Sequence, residues 1–311
     1  MNILVAYEFA PHTLANYMVR ALKAEGHNVR TAGPSRDISG WATPYRLAGP
    51  HDIPLAAGEN LTRAHLGDWT PDLLLWVETG QLNIGWLSAL EGGYPWAAWF
   101  IDGHNVDKLR VHIRMASRFD HVFCAMLPAV EYIEGAHYLP LACDPEIHTP
   151  KAGIEPVHDV VFVGHLYPQS ELYSERRRLL ALLGERYDVA VYDGVYFEDA
   201  ANLMATGRVV FNRNANGTLP HIPARVFEGM CSGRPLVTDY SEQLTSLLGD
   251  ASQYRRDGIG YEDEQELWAD VWRLLRFSEE RIECANAQRE AVLAAHTYRH
   301  RARAMLEAIG A

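Results

Sequence analysis

Between Pro220 and Thr238 the sequence reads Pro-His-Ile-Pro-Ala-Arg-Val-Phe-Glu-Gly-Met-Cys-Ser-Gly-Arg-Pro-Leu-Val-Thr. Its polar residues fall where they can hold an anion. Pro223 is placed to open a helix, where a missing N–H costs nothing. Helical spacing then sets Arg225 and Glu228 three residues apart on one face. A helix N-terminus offers free N–H groups and the positive end of the dipole, which suits a diphosphate. An arginine in the first turn is unfavourable on dipole grounds alone and becomes sensible if an anion sits there. Glu228, one turn further, can accept hydrogen bonds from a ribose or sugar hydroxyl. The plainer reading is an Arg–Glu surface pair.

Other polar residues follow short apolar runs. In the first half these are Tyr7-Glu8 and His12, Glu78-Thr79-Gly80-Gln81, and Asp102-Gly103-His104-Asn105. In the second half they are Gly164-His165, Asp193-Gly194, Asn212-Arg213-Asn214 and Thr238-Asp239. If the runs are parallel strands, these residues lie beyond their carboxyl ends, where open parallel sheets bind ligands. Strand ends are also polar simply because they meet solvent, so the argument rests on the set and not on one residue.

The elements needed to position them are legible. Asn2–Ala6, Leu73–Val77, Trp96–Ile101 and His121–Ala125 are short apolar runs of the kind that form strands buried on both faces. Helical periodicity separates them, as in Leu14, Met18, Val19 and Leu22, or Val106, Leu109, Ile113 and Ala116. Pro140 to Pro156 carries four prolines and no period, and reads as a linker. The alternation then resumes with strands at Val160–Val163, Val189–Tyr192, Val209–Phe211 and Pro235–Thr238. Helices are expected at Glu175–Leu183, Arg225–Cys231 and Glu264–Phe277, and from Ser278 to the end. Such alternation specifies α/β domains built on doubly wound parallel sheets. The expected division is an N-terminal domain over 1–145, a linker over 146–157, a C-terminal domain over 158–290, and a C-terminal helix over 291–311 crossing back to the first domain.

Composition narrows the function. With 28 Lys plus Arg against 40 Asp plus Glu, the net charge is −12, which disfavours a broad nucleic-acid footprint. Residues 1–150 hold 10 basic and 16 acidic side chains and the rest 18 and 24, so neither half is a charged docking domain. No run reaches the roughly 18 apolar residues of a membrane span, and the N-terminus lacks signal-peptide character. Cys124, Cys143, Cys231 and Cys284 form no CxxC pair. A cytoplasmic protein with reduced thiols is expected, with at most peripheral membrane contact. No GxGxxG, GxSxG, P-loop or His-Glu-x-x-His motif is present, and no metal site is expected.

Residues from about 159 to 308 resemble the C-terminal domain of GT-B glycosyltransferases, in the family 1-like group that includes the spore-maturation protein CgeB. The residues that carry this are Phe162-Val163-Gly164, Glu175-Arg176 leading into Leu179-Leu180, Val209-Val210-Phe211-Asn212, Arg225-Val226-Phe227-Glu228, Gly233 through Thr238, and His296 through Arg301. Leu139 through Pro145 resembles that family's interdomain hinge. The N-terminal half matches in outline only, through its first strand and Phe100-Ile101-Asp102. The resemblance implies two Rossmann-like domains facing across a cleft, with the nucleotide-diphosphate sugar as co-substrate and no separate cofactor.

It implies donor contacts from Gly164, Arg176, Tyr192, Asp193, Asn212, His221, Arg225 and Glu228. Arg225 and Glu228 would grip diphosphate and ribose, Gly164 would admit the phosphates, and Tyr192-Asp193 would flank the base. Arg213 is a further candidate. The second glutamate that many retaining relatives carry seven residues on is Pro235 here, and no lysine follows Lys151, so arginine, histidine and backbone N–H groups must do the holding. No Asp-x-Asp metal motif is convincing, and Glu262-Asp263-Glu264 reads as a solvated helix start. The expectation is metal-independent transfer, of the retaining kind, to an acceptor that the sequence does not name. The base candidates are Asp102, His12 and Glu78. Alternatives from other classes are a non-catalytic GT-B-like scaffold and a sugar-nucleotide epimerase.

Two patterns have plainer explanations. Arg110, Arg114 and Arg118 recur on one helix face, which suits a docking strip for anionic lipid but more often a solvated face. Trp76 and Trp99 sit in strands and belong to the core, leaving Trp41 and Trp86 for acceptor contact.

Overall fold

A computed structural model describes residues 1–10, 12–35, 51–78, 84–90, 92–102, 106–215, 220–249 and 260–311. The chain divides into two compact units, Met1–Pro140 with Tyr298–Ala311, and Leu141–Thr297.

The first unit is built on a seven-stranded parallel sheet. Its strands are β1 (Asn2–Ala6), β2 (Asn28–Pro34), β3 (Asp52–Leu55), β4 (Leu73–Val77), β5 (Trp96–Phe100), β6 (His121–Cys124) and β7 (His137–Tyr138), in the order β3-β2-β1-β4-β5-β6-β7. Ile3 pairs with Val29 on one side and Leu73 on the other. All five residues of β4 are buried, as a strand covered on both faces requires. The helices are α1 (Ala15–Ala24), α2 (Arg63–Leu66), α3 (Val106–Ala116) and α4 (Leu127–Tyr132). In α1 the buried residues Ala15, Met18, Val19 and Leu22 fall on one stripe. Trp76 and Trp99 are core residues, and the Trp99 indole N–H donates to Leu139 O at 2.9 Å.

The second unit carries a four-stranded parallel sheet of β8 (His158–Val163), β9 (Val189–Tyr192), β10 (Gly207–Phe211) and β11 (Leu236–Val237), in the order β11-β10-β8-β9. Its helices are α5 (Ser174–Gly184), α6 (Phe197–Ala205), α7 (Ala224–Cys231), α8 (Glu242–Leu248), α9 (Glu264–Arg276) and α10 (Ser278–Ala295). Val160, Phe162, Leu179, Leu183, Val209, Phe211 and Val271 meet in one core. The short edge strand β11 is completed by a side chain. Gln288 of α10, fully buried, accepts from Leu236 N at 2.7 Å and donates to Leu236 O at 2.9 Å, satisfying groups that burial would otherwise leave costly.

Two expected boundaries move. The proline-rich stretch from Pro140 to Pro156 is not a free linker. Cys143, Asp144, Ile147 and His148 are buried, and Cys143 N donates to His296 O at 3.1 Å. The expected continuous C-terminal helix is interrupted at His296-Thr297, where Thr297 bridges to Cys143. A new helix, α11 (Tyr298–Ile309), follows and belongs to the first unit. There Tyr298 stacks on Tyr17 at 5.0 Å, and Glu25 at the end of α1 takes both Arg299 and Arg303 at 2.6 Å. Pro223 is the residue before α7, not its first residue, with extended ψ of 153°. Among the described residues no helix is long and apolar enough to cross a membrane.

Candidate active site

In the second sheet, β8 has β9 on one side and β10 on the other, so the chain steps outward from β8 to β9 and then crosses back over β8 to β10, reversing direction. The carboxyl ends of β8 and β10 therefore flank the topological switch point, where such sheets open a crevice for ligand. Gly164 and His165 follow β8, and Asn212 and Arg213 follow β10.

Arg176 of α5 joins these two strand ends. Its Nη1 donates to His165 O at 2.6 Å and its Nε to Arg213 O at 2.8 Å. The guanidinium lies over the rings of Tyr173 at 4.6 Å and Phe162 at 5.3 Å, and the residue is 2% exposed. Burial, and then the nearby charge of Arg225, lower its pKa to about 9. Arg176 thus fixes the site's backbone, a different role from the donor contact implied by the sequence.

Arg225, in the first turn of α7, brings a second guanidinium over Phe162 at 5.6 Å. It lies directly against Gly164, so that a Cβ on that glycine would sit 2.1 Å from Arg225 Nη1. Gly164 has φ +153°, where side chains are rarely found. Arg225 Nη1 is buried and has no hydrogen-bond partner among the described residues. Burial pulls the Arg225 pKa down, and Glu228 opposes that pull. An unpaired buried donor is costly, and here it belongs to a cation at a switch point.

Glu228 is 12% exposed at its side chain, with Oε1 3.6 Å from His148 Nε2. Asp144 N donates to His148 Nδ1 at 3.2 Å, which leaves the proton of a neutral ring on Nε2, facing Glu228. Burial pushes the Glu228 carboxyl up to about 7, against the pull of Arg225. Arg225 thus faces a carboxylate that is only partly ionised at neutral pH, and the Arg176 guanidinium is close enough to Arg225 to lower its own pKa, an arrangement of positive charge suited to an anion.

The other expected donor residues differ in their surroundings. Asp193 is at the site, with Oδ1 2.5 Å from His165 Nδ1. Asn212 is fully buried and donates to Thr238 Oγ1 at 2.8 Å. Arg213 is paired with Asp239 at 2.7 Å. His221 is half-buried in the segment before α7. Tyr192 turns away, its hydroxyl 3.4 Å from Nε2 of His158, the residue that opens β8.

In the first unit, Glu78 and Asp102 meet at the ends of the neighbouring strands β4 and β5, and His12 lies half-buried in the β1–α1 loop. Glu78 is fully buried, and its Oε2 accepts from Ile101 N at 2.9 Å and Asp102 N at 3.0 Å, with His112 Nε2 at 3.1 Å. A carboxylate so enclosed holds the β5 end. Asp102 Oδ2 is ion-paired with Lys108. Arg110, Arg114 and Arg118 are exposed, and Arg110 pairs with Asp107 at 3.3 Å, as a solvated face does. Trp86 is half-buried. Trp41, Thr79 through Gln81 and Gly103 through Asn105 lie outside the described residues. Among the described residues no cluster of His, Cys, Asp and Glu could hold a metal ion.

Residues 168–307, just under half of the chain, match the family model described as glycosyl transferase-like. No curated protein matches the sequence. Among solved structures, the chain is similar to sucrose-phosphate synthase from Thermosynechococcus elongatus, with 15% identity and a TM-score of 0.65 over 99% of this chain and 98% of that one. Anabaena HepE, solved with UDP and glucose, gives 13% identity and 0.63 over 100% and 99%. A Rickettsia africae glycosyltransferase gives 10% identity and 0.60 over 98% and 97%. The fold is GT-B.

Within the second Rossmann-like unit of this GT-B chain, sequence reasoning missed His148, Tyr167, Tyr173 and Tyr196. The three tyrosines carried a usable signal, since each follows a strand that already delivers a glycine or histidine at its end. His148 carried none, because its proline-rich surroundings hide that the segment is buried.

Proposed function

We propose that the protein transfers a glycosyl group from a nucleoside-diphosphate sugar bound at the β8/β10 switch point to an acceptor. The observation that carries this is Arg225, a cation packed on Gly164 whose buried Nη1 has no hydrogen-bond partner among the described residues. The match to a glycosyl transferase-like model over 168–307 supports it, as does the GT-B fold. The narrower kinship with the CgeB-like group is part of this proposal and rests on the order of the motifs.

In this reading the sugar–phosphate bond breaks as negative charge develops on the leaving diphosphate. Arg225 and the N-terminal end of α7 stabilise that charge, and groups preorganised toward developing charge usually accelerate a reaction more than any other single effect. Arg176 keeps the strand ends apart at a fixed width. Glu228, once ionised, accepts from a ribose hydroxyl. Arginine supplies the positive charge, so the transfer proceeds without a metal. Glu78 is enclosed and Asp102 is committed to Lys108. The reading keeps a retaining transfer in which the donor's own phosphate takes the acceptor proton, with Asp102, His12 and Glu78 as the side-chain bases to test.

The test is release of nucleoside diphosphate from a panel of UDP-, GDP- and ADP-sugars, with and without EDTA. Release that survives EDTA and is abolished by Arg225→Ala supports the proposal. Absence of both release and binding with every donor would sink it and favour a scaffold. Conversion of the donor's sugar without transfer would point to an epimerase.

A further inference from the structure

The first unit carries a pocket at the end of its sheet opposite to Glu78 and Asp102. Strand β5 begins at Trp96 and runs five residues toward Asp102, roughly 15 Å of extended chain. Beside its amino end a pocket of about 720 Å³ is lined by Gly92, Tyr94, Trp96, Arg118 and Asp120 among others. That volume lies within the range of about 300–1,000 Å³ in which ligand sites fall. The pocket is open to solvent and not an enclosed cavity.

Its walls are fixed before any ligand arrives. Asp120 Oδ2 accepts from Trp96 N at 2.8 Å, and Asp120 N donates to Trp96 O at 2.8 Å. The carboxylate is therefore locked to the start of β5, with Oδ1 left for a further donor. The Tyr94 ring packs so closely on Gly92 that a Cβ there would lie 2.9 Å from two of its carbons. Glycine at 92 is what gives the ring its place. Arg118 and Asp120 are both exposed, and among the described residues neither is held in an ion pair.

The chemistry of the lining selects the ligand. Among the described lining residues the charged ones are Arg118 and Asp120, and their charges cancel. An anion would meet the carboxylate, and a cation would meet the guanidinium. Tyr94 and Trp96 add aromatic surface beside these strong hydrogen-bonding groups. A neutral ring with C–H faces and a rim of hydroxyls satisfies both at once. Its hydroxyls donate to Asp120 and accept from Arg118, while its C–H faces pack on the aromatic side chains. Because the pocket is open, it admits one stretch of a longer chain of such rings. We propose that this pocket binds a neutral oligosaccharide. The binding is independent of the donor site. Its use as a holding site for a saccharide acceptor, away from the reacting end, rests on the transfer reading above.

The test titrates maltohexaose, cellohexaose, mannohexaose and chitohexaose into the full chain by calorimetry, with trigalacturonic acid as the anionic comparison. The proteins are wild type, Arg118→Ala, Asp120→Asn and Tyr94→Ala, with melting curves confirming that each folds. Arg118 is exposed, so its variant keeps the test decisive even if Tyr94→Ala does not fold. At least one neutral hexasaccharide should bind the wild type more tightly than the acidic sugar does. Arg118→Ala should weaken that binding about tenfold, the worth of one hydrogen bond from a charged group, and Tyr94→Ala about fivefold. Asp120→Asn keeps an oxygen for Trp96 N, and should weaken the neutral sugar while strengthening the acidic one. Three results overturn the proposal: no binding of any neutral hexasaccharide, tighter binding of the acidic sugar, or neutral binding that Arg118→Ala leaves unchanged. UDP, GDP and ADP titrated into the same proteins report on the donor site alone. Their failure to bind overturns the donor-site reading and leaves the saccharide site standing, while saccharide failure beside intact nucleotide binding does the reverse.

Discussion

Burying Glu228 is costly, and the cost has a pH signature. Burial raises its pKa from the ordinary 4.5 to about 7, and each unit is worth about 1.4 kcal/mol. A carboxyl whose native pKa lies above its unfolded value binds more protons when folded. Its contribution therefore weakens stability as pH rises from 4.5 to 7 and is constant above that. The full effect is about 3 kcal/mol at pH 7 and above, and about 1 kcal/mol at pH 5, by the same linkage. Glu228→Gln keeps the shape of the protonated side chain and removes the charge. In the absence of ligand the variant should thus be more stable than wild type, by a margin growing from about 1 kcal/mol at pH 5 to about 3 kcal/mol at pH 7. Urea unfolding of both proteins at several pH values measures the margin. A margin that does not change with pH, or a wild type more stable than the variant at pH 7, would refute the reasoning.

Gly164→Ala places a Cβ 2.1 Å from Arg225 Nη1 at φ +153°. It should lower stability by about 1–3 kcal/mol and weaken diphosphate binding by displacing the guanidinium; wild-type affinity by calorimetry would contradict this. Arg176→Met removes both donors from the His165 and Arg213 carbonyls and should cost about 3 kcal/mol in urea unfolding. Arg176→Lys, which lacks the planar fork, should restore little of it. Glu25 is held below the usual carboxylate range, by hydrogen bonds from Arg303 first and Arg299 second. Its contribution is present at neutral pH and lost as pH falls through that lowered pKa. Glu25→Gln should cost no more than about 1 kcal/mol at pH 7, and the loss should shrink in 1 M salt; a salt-independent loss would contradict an electrostatic origin.

The strands around the switch point were legible because burial on both faces writes itself as unbroken apolar runs, as in Val160–Val163 and Val209–Phe211. Arg225 and Glu228 were legible because helical period alone sets them on one face. Arg176 was harder. In an amphipathic helix an arginine reads as a ligand contact or a surface charge, and only tertiary packing shows that its donors end on two carbonyls 11 and 37 residues away. The pairing of Glu228 with His148 spans 80 positions and leaves no periodic trace. Prolines made the stretch from Pro140 to Pro156 read as a linker, although Cys143 and His148 are buried. Tyr192, at the end of an edge strand, gives no sign in sequence that its ring runs back toward His158. Glu78 looked like a base because it ends a strand; its burial under Ile101 and Asp102 depends on the neighbouring strand.

The central claim is that Arg225, at the β8/β10 switch point, holds the diphosphate of a nucleotide donor. The measurement that tests it most directly is calorimetric titration of UDP, GDP and ADP into wild type and Arg225→Ala in the presence of EDTA. The account predicts saturable binding of at least one of them to the wild type, unaffected by chelator, and a loss of at least tenfold in the variant that retains its fold. Equal affinity in the two proteins, or binding that vanishes with chelator, would contradict it.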